Sequence, residues 1–117
     1  MKGTNSNWWR PTAVHMWRCF YNTSDAPAFS ESDTFIRTVC QVTLDQDFPA
    51  RLDKDLLKAY FTSRWGDDVN TVHRYADQHG IPVDTAWTVI KRANLAVIER
   101  LGLIDKKEAR AYASGRP

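Results

Sequence analysis

Three histidines and two cysteines are the side chains best equipped here for metal or nucleophilic chemistry. His15 and Cys19 stand four residues apart, one helical turn. With Cys40 and His73 they make a set of the size and type that a tetrahedral zinc ion takes. Local ligand clips are the usual mark of such a site, and neither Cys-x-x-Cys nor His-x-x-x-His occurs. The expectation is therefore two reduced, mostly buried thiols and no bound metal. His73 and His79 read as polar surface or helix-end residues, and His79 suits the negative end of a helix dipole. Asp67 and Asp68 are neighbours, and neighbours on a helix diverge by roughly 100°, so they form no metal clamp by themselves. No phosphate-cradling glycine loop, nucleophile elbow or paired-carboxylate motif is present, so neither an enzyme nor a cofactor is expected.

Recognition chemistry is better represented. Between about 83 and 101, Ala86, Val89 or Ile90, Ala93, Val97 and Leu101 recur as a helical stripe. Asp84, Thr85, Trp87, Thr88, Lys91 and Arg92 point away from it. A threonine such as Thr88 can hydrogen-bond a base edge or touch a thymine methyl, and Lys91 or Arg92 can pair with guanine or phosphate. Asp84 can accept from cytosine, or serve as a helix cap. Trp87 can pack on backbone sugar, or act with Leu95 and Ile98 as a protein contact.

The elements that position these side chains are legible upstream. Ala76 lies four residues before Gly80, Ile81 follows the glycine, and Ala86 comes six after it. A small alanine lets two helices approach, glycine closes the first in a left-handed cap, and the apolar residue behind it plugs the corner. This is the pattern of a helix-turn-helix, expected at about 68–101, whose second helix lies in the DNA major groove. Gly80-Ile81-Pro82-Val83-Asp84-Thr85-Ala86, with Ile90, Arg92-Ala93 and Val97, resembles region 4 of sigma factors, especially the extracytoplasmic-function group. It departs from that pattern at Trp87, Thr88 and Val89, where such helices carry basic residues. More loosely, the layout is similar to a family of phage antitermination Q proteins. A Trp-rich start leads to a middle helix with Asp33, Ile36 and Cys40, then to Leu56-Leu57-Lys58-Ala59-Tyr60-Phe61, then to the helix-turn-helix. These resemblances imply a DNA-binding transcription regulator of phage or mobile-element type, an antiterminator-like factor with double-stranded DNA and RNA polymerase as partners.

The rival expectation is a small protein that grips a host complex, a polymerase or a defence system, through exposed apolar residues. Its candidates are Trp8, Trp9, Trp87, Leu95 and Ile98, since exposed apolar patches mark partners and Trp is prominent in interface hot spots. Trp17 reads as a core anchor, whereas Trp8 and Trp9 fit either role.

Composition bounds both readings. At 117 residues the chain is expected to be one domain, and 43% hydrophobic and 12% aromatic residues suffice for a core. No apolar run approaches a membrane span, and the polar, Trp-rich start lacks the apolar core of a signal peptide, so a cytoplasmic protein is expected. The net charge of +2 divides unevenly: residues 1–52 sum to zero, 53–80 to −1 and 81–117 to +3. Positive charge thus gathers where phosphate contact is expected, although a solvated helical face has the same look.

Taken in order, residues 1–7 are expected to be a mobile end, and Pro11, Val14, Trp17, Phe20 and Tyr21 give a helix over 11–22. A loop over 22–29 follows. Ser30 and Asp33 suggest a capping box for a helix over 31–44 with an apolar stripe of Phe35, Ile36, Val39, Cys40, Thr43 and Leu44, for which a strand is the alternative. A polar link, 45–52, leads to a helix capped by Asp53 with Leu56, Leu57, Tyr60 and Phe61 as its stripe. Val69, Val72 and Ala76 should face inward from the next helix. Gly102 ends the helix that starts at about 83. Asp105 and Glu108 form a capping box for a last helix at about 106–113, before a frayed 114–117. The whole is expected to be all-α, with about five helices.

Overall fold

A computed structural model describes residues 8–23, 31–63 and 66–113. The mobile and frayed ends, most of the loop at 22–29 and the Ser30 cap expected from sequence lie outside them. Among the described residues there are six α-helices and no strand: α1 (Arg10–Thr23), α2 (Glu31–Asp47), α3 (Arg51–Phe61), α4 (Asp68–His79), α5 (Val83–Arg100) and α6 (Lys106–Ala113). The all-α expectation holds, with six helices where about five were expected. The strand alternative for 31–44 gives way to helix. No helix of the described residues is long and apolar enough to cross a membrane.

α5 is the hub. It packs against each of the other five helices. Its buried residues are Ala86, Val89, Ile90, Ala93, Asn94, Leu95, Val97 and Ile98, far more than the one stripe of a helix resting on a single neighbour. α1 presents Ala13, Met16, Trp17 and Phe20 to the core at three- and four-residue spacing. Trp17 is fully enclosed, stacked on Phe61 with ring centroids 5.7 Å apart, and its indole N–H donates to the Ala93 carbonyl of α5 at 3.1 Å. A buried indole needs such a partner, and this one fixes the packing of α1 on α5. Trp9, in the turn before α1, meets Tyr112 of α6 edge-on at 5.6 Å and so ties the two ends of the described chain together.

The connections explain several departures from the sequence expectations. α2 continues past residue 44 to Asp47, and the link to α3 shrinks to 48–50. Lys54 accounts for this, since its ammonium donates to the carbonyls of Leu44 (3.2 Å) and Phe48 at the C-terminal end of α2. Asp53 therefore lies inside α3 and caps nothing; the cap position is Ala50. Phe35 and Val69, expected to be buried, are 54% and 50% exposed. Val69 is in the first turn of α4, and in α2 it is Ile36, next to Phe35, that packs against the core.

The α4–α5 connection follows the sequence closely. Gly80 adopts φ +64°, the Ile81 N–H bonds the Ala76 carbonyl at 3.0 Å, and the Gly80 N–H bonds that of Asp77 at 3.4 Å. This is a Schellman closure, open to glycine because a left-handed φ is costly for residues with a Cβ. Ala76 and Ala86, on either side of this connection, are both buried, and α4 packs against α5. α5 closes the same way: Leu103 N–H reaches the Ile98 carbonyl at 3.2 Å and Gly102 N–H that of Glu99 at 2.9 Å, with Gly102 at φ +76°. The Asp105–Glu108 capping box forms in full, the Glu108 N–H donating to Asp105 Oδ1 at 2.8 Å and the Asp105 N–H to Glu108 Oε1 at 3.4 Å.

Candidate nucleic-acid interface

α5 is divided by its neighbours into faces with separate chemistry. Asp84, Thr88, Arg92 and Ala96 follow one another at four-residue spacing, and of these Asp84, Thr88 and Arg92 are exposed, with Thr85 beside them. Thr88 hydrogen-bonds back to the Asp84 carbonyl at 2.8 Å, which commits its proton but leaves its oxygen free to accept. Asp84 is not a cap. The cap position is Pro82, so the Asp84 carboxylate sits in the first turn, where the dipole favours it.

Towards the C-terminal end this face becomes one wall of a groove of about 780 Å³. The other walls are the end of α2 with Phe48, and α6. Arg92, Arg100, Lys106 and Arg110 line it, against Asp47 and Glu99. Arg92 lies over the Phe48 ring, 5.2 Å from its centroid, a cation–π contact that limits the guanidinium's freedom without neutralising it. Arg100 is held to Asp47 at 3.2 Å and Gln46 at 3.1 Å, joining α5 to α2. Arg92, Lys106 and Arg110 form no ion pair among the described residues. The groove is thus a basic furrow whose most constrained cation, Arg100, does structural service.

Lys91 turns to a different face. Adjacent residues on a helix diverge by roughly 100°, and Lys91 and Arg92 accordingly line separate cavities. Lys91 shares a smaller one, of about 310 Å³, with Trp9, Arg10, Tyr60, Trp87, Ile90 and Asn94. Trp87 is half-buried there, edge-on to Tyr60 at 5.7 Å. The Tyr60 hydroxyl accepts from Arg10 (3.4 Å) and donates to Asp68 (3.5 Å). Burial raises the Tyr60 pKa, opposed by Arg10, so the phenol keeps its proton. Asn94 is 2% exposed and its Oδ1 is buried without a hydrogen-bond partner among the described residues.

Three protein-contact candidates are corrected. Trp9, Leu95 and Ile98 are 2%, 3% and 0% exposed and belong to the core. The single-stripe reading of α5 missed this because five helices cover it instead of one or two. Of that set Trp8 is exposed, at 45%, and Trp87 half-exposed. The metal reading finds no support. Cys19 lies 3.5 Å from His15 Nε2, but Cys40 is turned towards the Met16 carbonyl and His73 is exposed on α4. Among the described residues no cluster of three or more potential ligands occurs. Neither Cys19 nor Cys40 is in a disulfide, and Cys40 is buried as expected while Cys19 is only half-buried. His79 ends α4 as expected and packs on Tyr75 at 4.3 Å.

Arg100, Lys106, Arg110, Arg10 and Asn94 were not picked out by motif. The excess charge of residues 81–117 pointed to the first three; nothing in the sequence distinguished Asn94 from a surface asparagine. No protein-family model, curated protein or solved structure matches the chain.

Proposed function

We propose that this chain is a DNA-binding regulator that uses α4 and α5 as a helix-turn-helix and sets the exposed face of α5 against duplex DNA. The observation that carries the reading is the continuity of Asp84, Thr85, Thr88 and Arg92 with the furrow bearing Lys106 and Arg110. In this account Thr85, Thr88 and Arg92 approach base edges, and Lys106 and Arg110 take phosphates. Lys91 and Trp87, which line the smaller cavity, lie to the side of the interface. The resemblance to sigma region 4 and to phage antitermination proteins extends the proposal to a phage or mobile-element regulator that engages RNA polymerase. Exposed Trp8 is the residue to test as a contact for that partner. The rival reading, a protein binder without DNA affinity, is weakened by the burial of Trp9, Leu95 and Ile98.

The test is fluorescence anisotropy of labelled duplex DNA across a salt series. The account expects binding that weakens steeply and log-linearly with salt. Absence of binding at low salt, together with nuclease-resistant capture of a polymerase or defence protein, would transfer the function to the protein-binding class.

A further inference from the structure

The cavity between α1, α3 and α5 has the chemistry of a ligand site. Its lining contains two cations, Arg10 and Lys91, and no carboxylate. Lys91 makes no ion pair or hydrogen bond among the described residues. Trp87 and Ile90 supply an apolar wall, and Trp87 is half-exposed, leaving part of its indole uncovered. Asn94, almost fully buried in the lining, carries the unpartnered Oδ1. A buried acceptor without a hydrogen-bond partner is unusual, and a donor brought into the cavity beside it is one way to satisfy it.

Each feature restricts the ligand. The cations call for an anion and disfavour an amine. The indole calls for a flat, polarisable ring. The asparagine oxygen calls for an N–H or O–H at that ring's edge. A volume of about 310 Å³ admits a ligand the size of one mononucleotide rather than a peptide or a dinucleotide.

We infer that this cavity binds a single nucleotide, with the base against Trp87, a base N–H donated to Asn94 Oδ1, and the phosphate between Arg10 and Lys91. All of the common bases carry an N–H, so the site as described selects a nucleotide without choosing among bases. Two sources share this chemistry: a free nucleoside monophosphate, and an unpaired nucleotide carried by a DNA strand. Only the second depends on the DNA-binding function proposed above.

The experiment titrates the full chain with the 5′-monophosphates of the common nucleosides, and with duplexes that are fully paired or contain one unpaired nucleotide. Tryptophan fluorescence and calorimetry report binding. The expected result is one-to-one binding, either of a free monophosphate or of the unpaired-nucleotide duplex in preference to the paired one. Asn94→Leu should weaken it about tenfold and Lys91→Ala at least as much. Asn94→Leu is close to isosteric and removes the open acceptor, so its melting temperature should equal or exceed that of the parent. Lys91→Ala changes a half-buried side chain outside the apolar core and provides a second folded variant. The inference is overturned if no monophosphate binds and the two duplexes bind alike, or if binding survives unchanged in folded Asn94→Leu and Lys91→Ala. Since Lys91 lies away from the basic furrow, unchanged binding of paired duplex by Lys91→Ala separates failure of this site from failure of the DNA interface.

Discussion

The Trp17 indole N–H donates to the main-chain carbonyl of Ala93 at 3.1 Å, across 76 positions of sequence. Ala93 is the fully buried middle of α5, so one hydrogen bond and one large aromatic surface fix the hub helix to α1. Trp17→Ala should cost about 3–5 kcal/mol by cavity formation. Trp17→Phe retains much of the ring but loses the donor and some volume, and should cost about 1–3 kcal/mol. Urea denaturation measures both. Trp17→Phe with parental stability would mean that the α1–α5 contact is not organised in this way.

The α4–α5 corner gives a second pair of expectations. Gly80 has open space where a Cβ would stand, so the cost of Gly80→Ala comes from its φ of +64° alone, about 1 kcal/mol. Ala76 is enclosed, and Ala76→Trp should overpack the corner by about 1–3 kcal/mol or more. Thermal melts check both, and an unchanged melting temperature for Ala76→Trp would count against the packing of α4 on α5.

The thiols should differ in reactivity. Burial, reinforced by nearby Cys19, pushes the Cys40 thiol up to about 12 from its ordinary 9.0. An acid raised on folding holds its proton more tightly in the native state. Its contribution to stability is therefore full below the unfolded value and is lost as pH rises from about 9 towards about 12. Denaturation midpoints should fall across that window, and Cys40→Ser or Cys40→Ala should reduce the fall. In native protein a thiol reagent should modify half-buried Cys19 quickly and Cys40 only on unfolding. Equal rates for both would contradict the burial of Cys40.

Local chemistry was the most legible part of the chain. Gly80, Ala76 and Ala86 specify a corner through φ and side-chain size, and Asp105 and Glu108 specify a cap through reach, so three- to six-residue spacing sufficed. Leu95 and Ile98 looked exposed because periodicity reports one face of a helix, and says nothing of how many neighbours enclose it. The extension of α2 to Asp47 depended on Lys54, a residue from the next helix, reaching back to its carbonyls. Lys91 and Arg92 looked like a pair in sequence, and only the positions of α1, α2 and α6 show that they serve different cavities. Asn94 became informative once its side chain was seen to be buried beside a cavity, with Oδ1 lacking a partner.

The most direct test of the DNA-binding account is the salt dependence of duplex affinity for the triple variant Arg92→Ala, Lys106→Ala, Arg110→Ala. All three side chains are exposed, so the core should survive, which circular dichroism and melting would verify. Each phosphate contact contributes about 0.9 to the slope of log affinity against log salt, so losing the two from Lys106 and Arg110 should flatten it by roughly two units. Affinity at low salt should fall with it. A folded triple variant that binds duplex DNA with the parental affinity and slope would contradict the assignment of this furrow as the nucleic-acid interface.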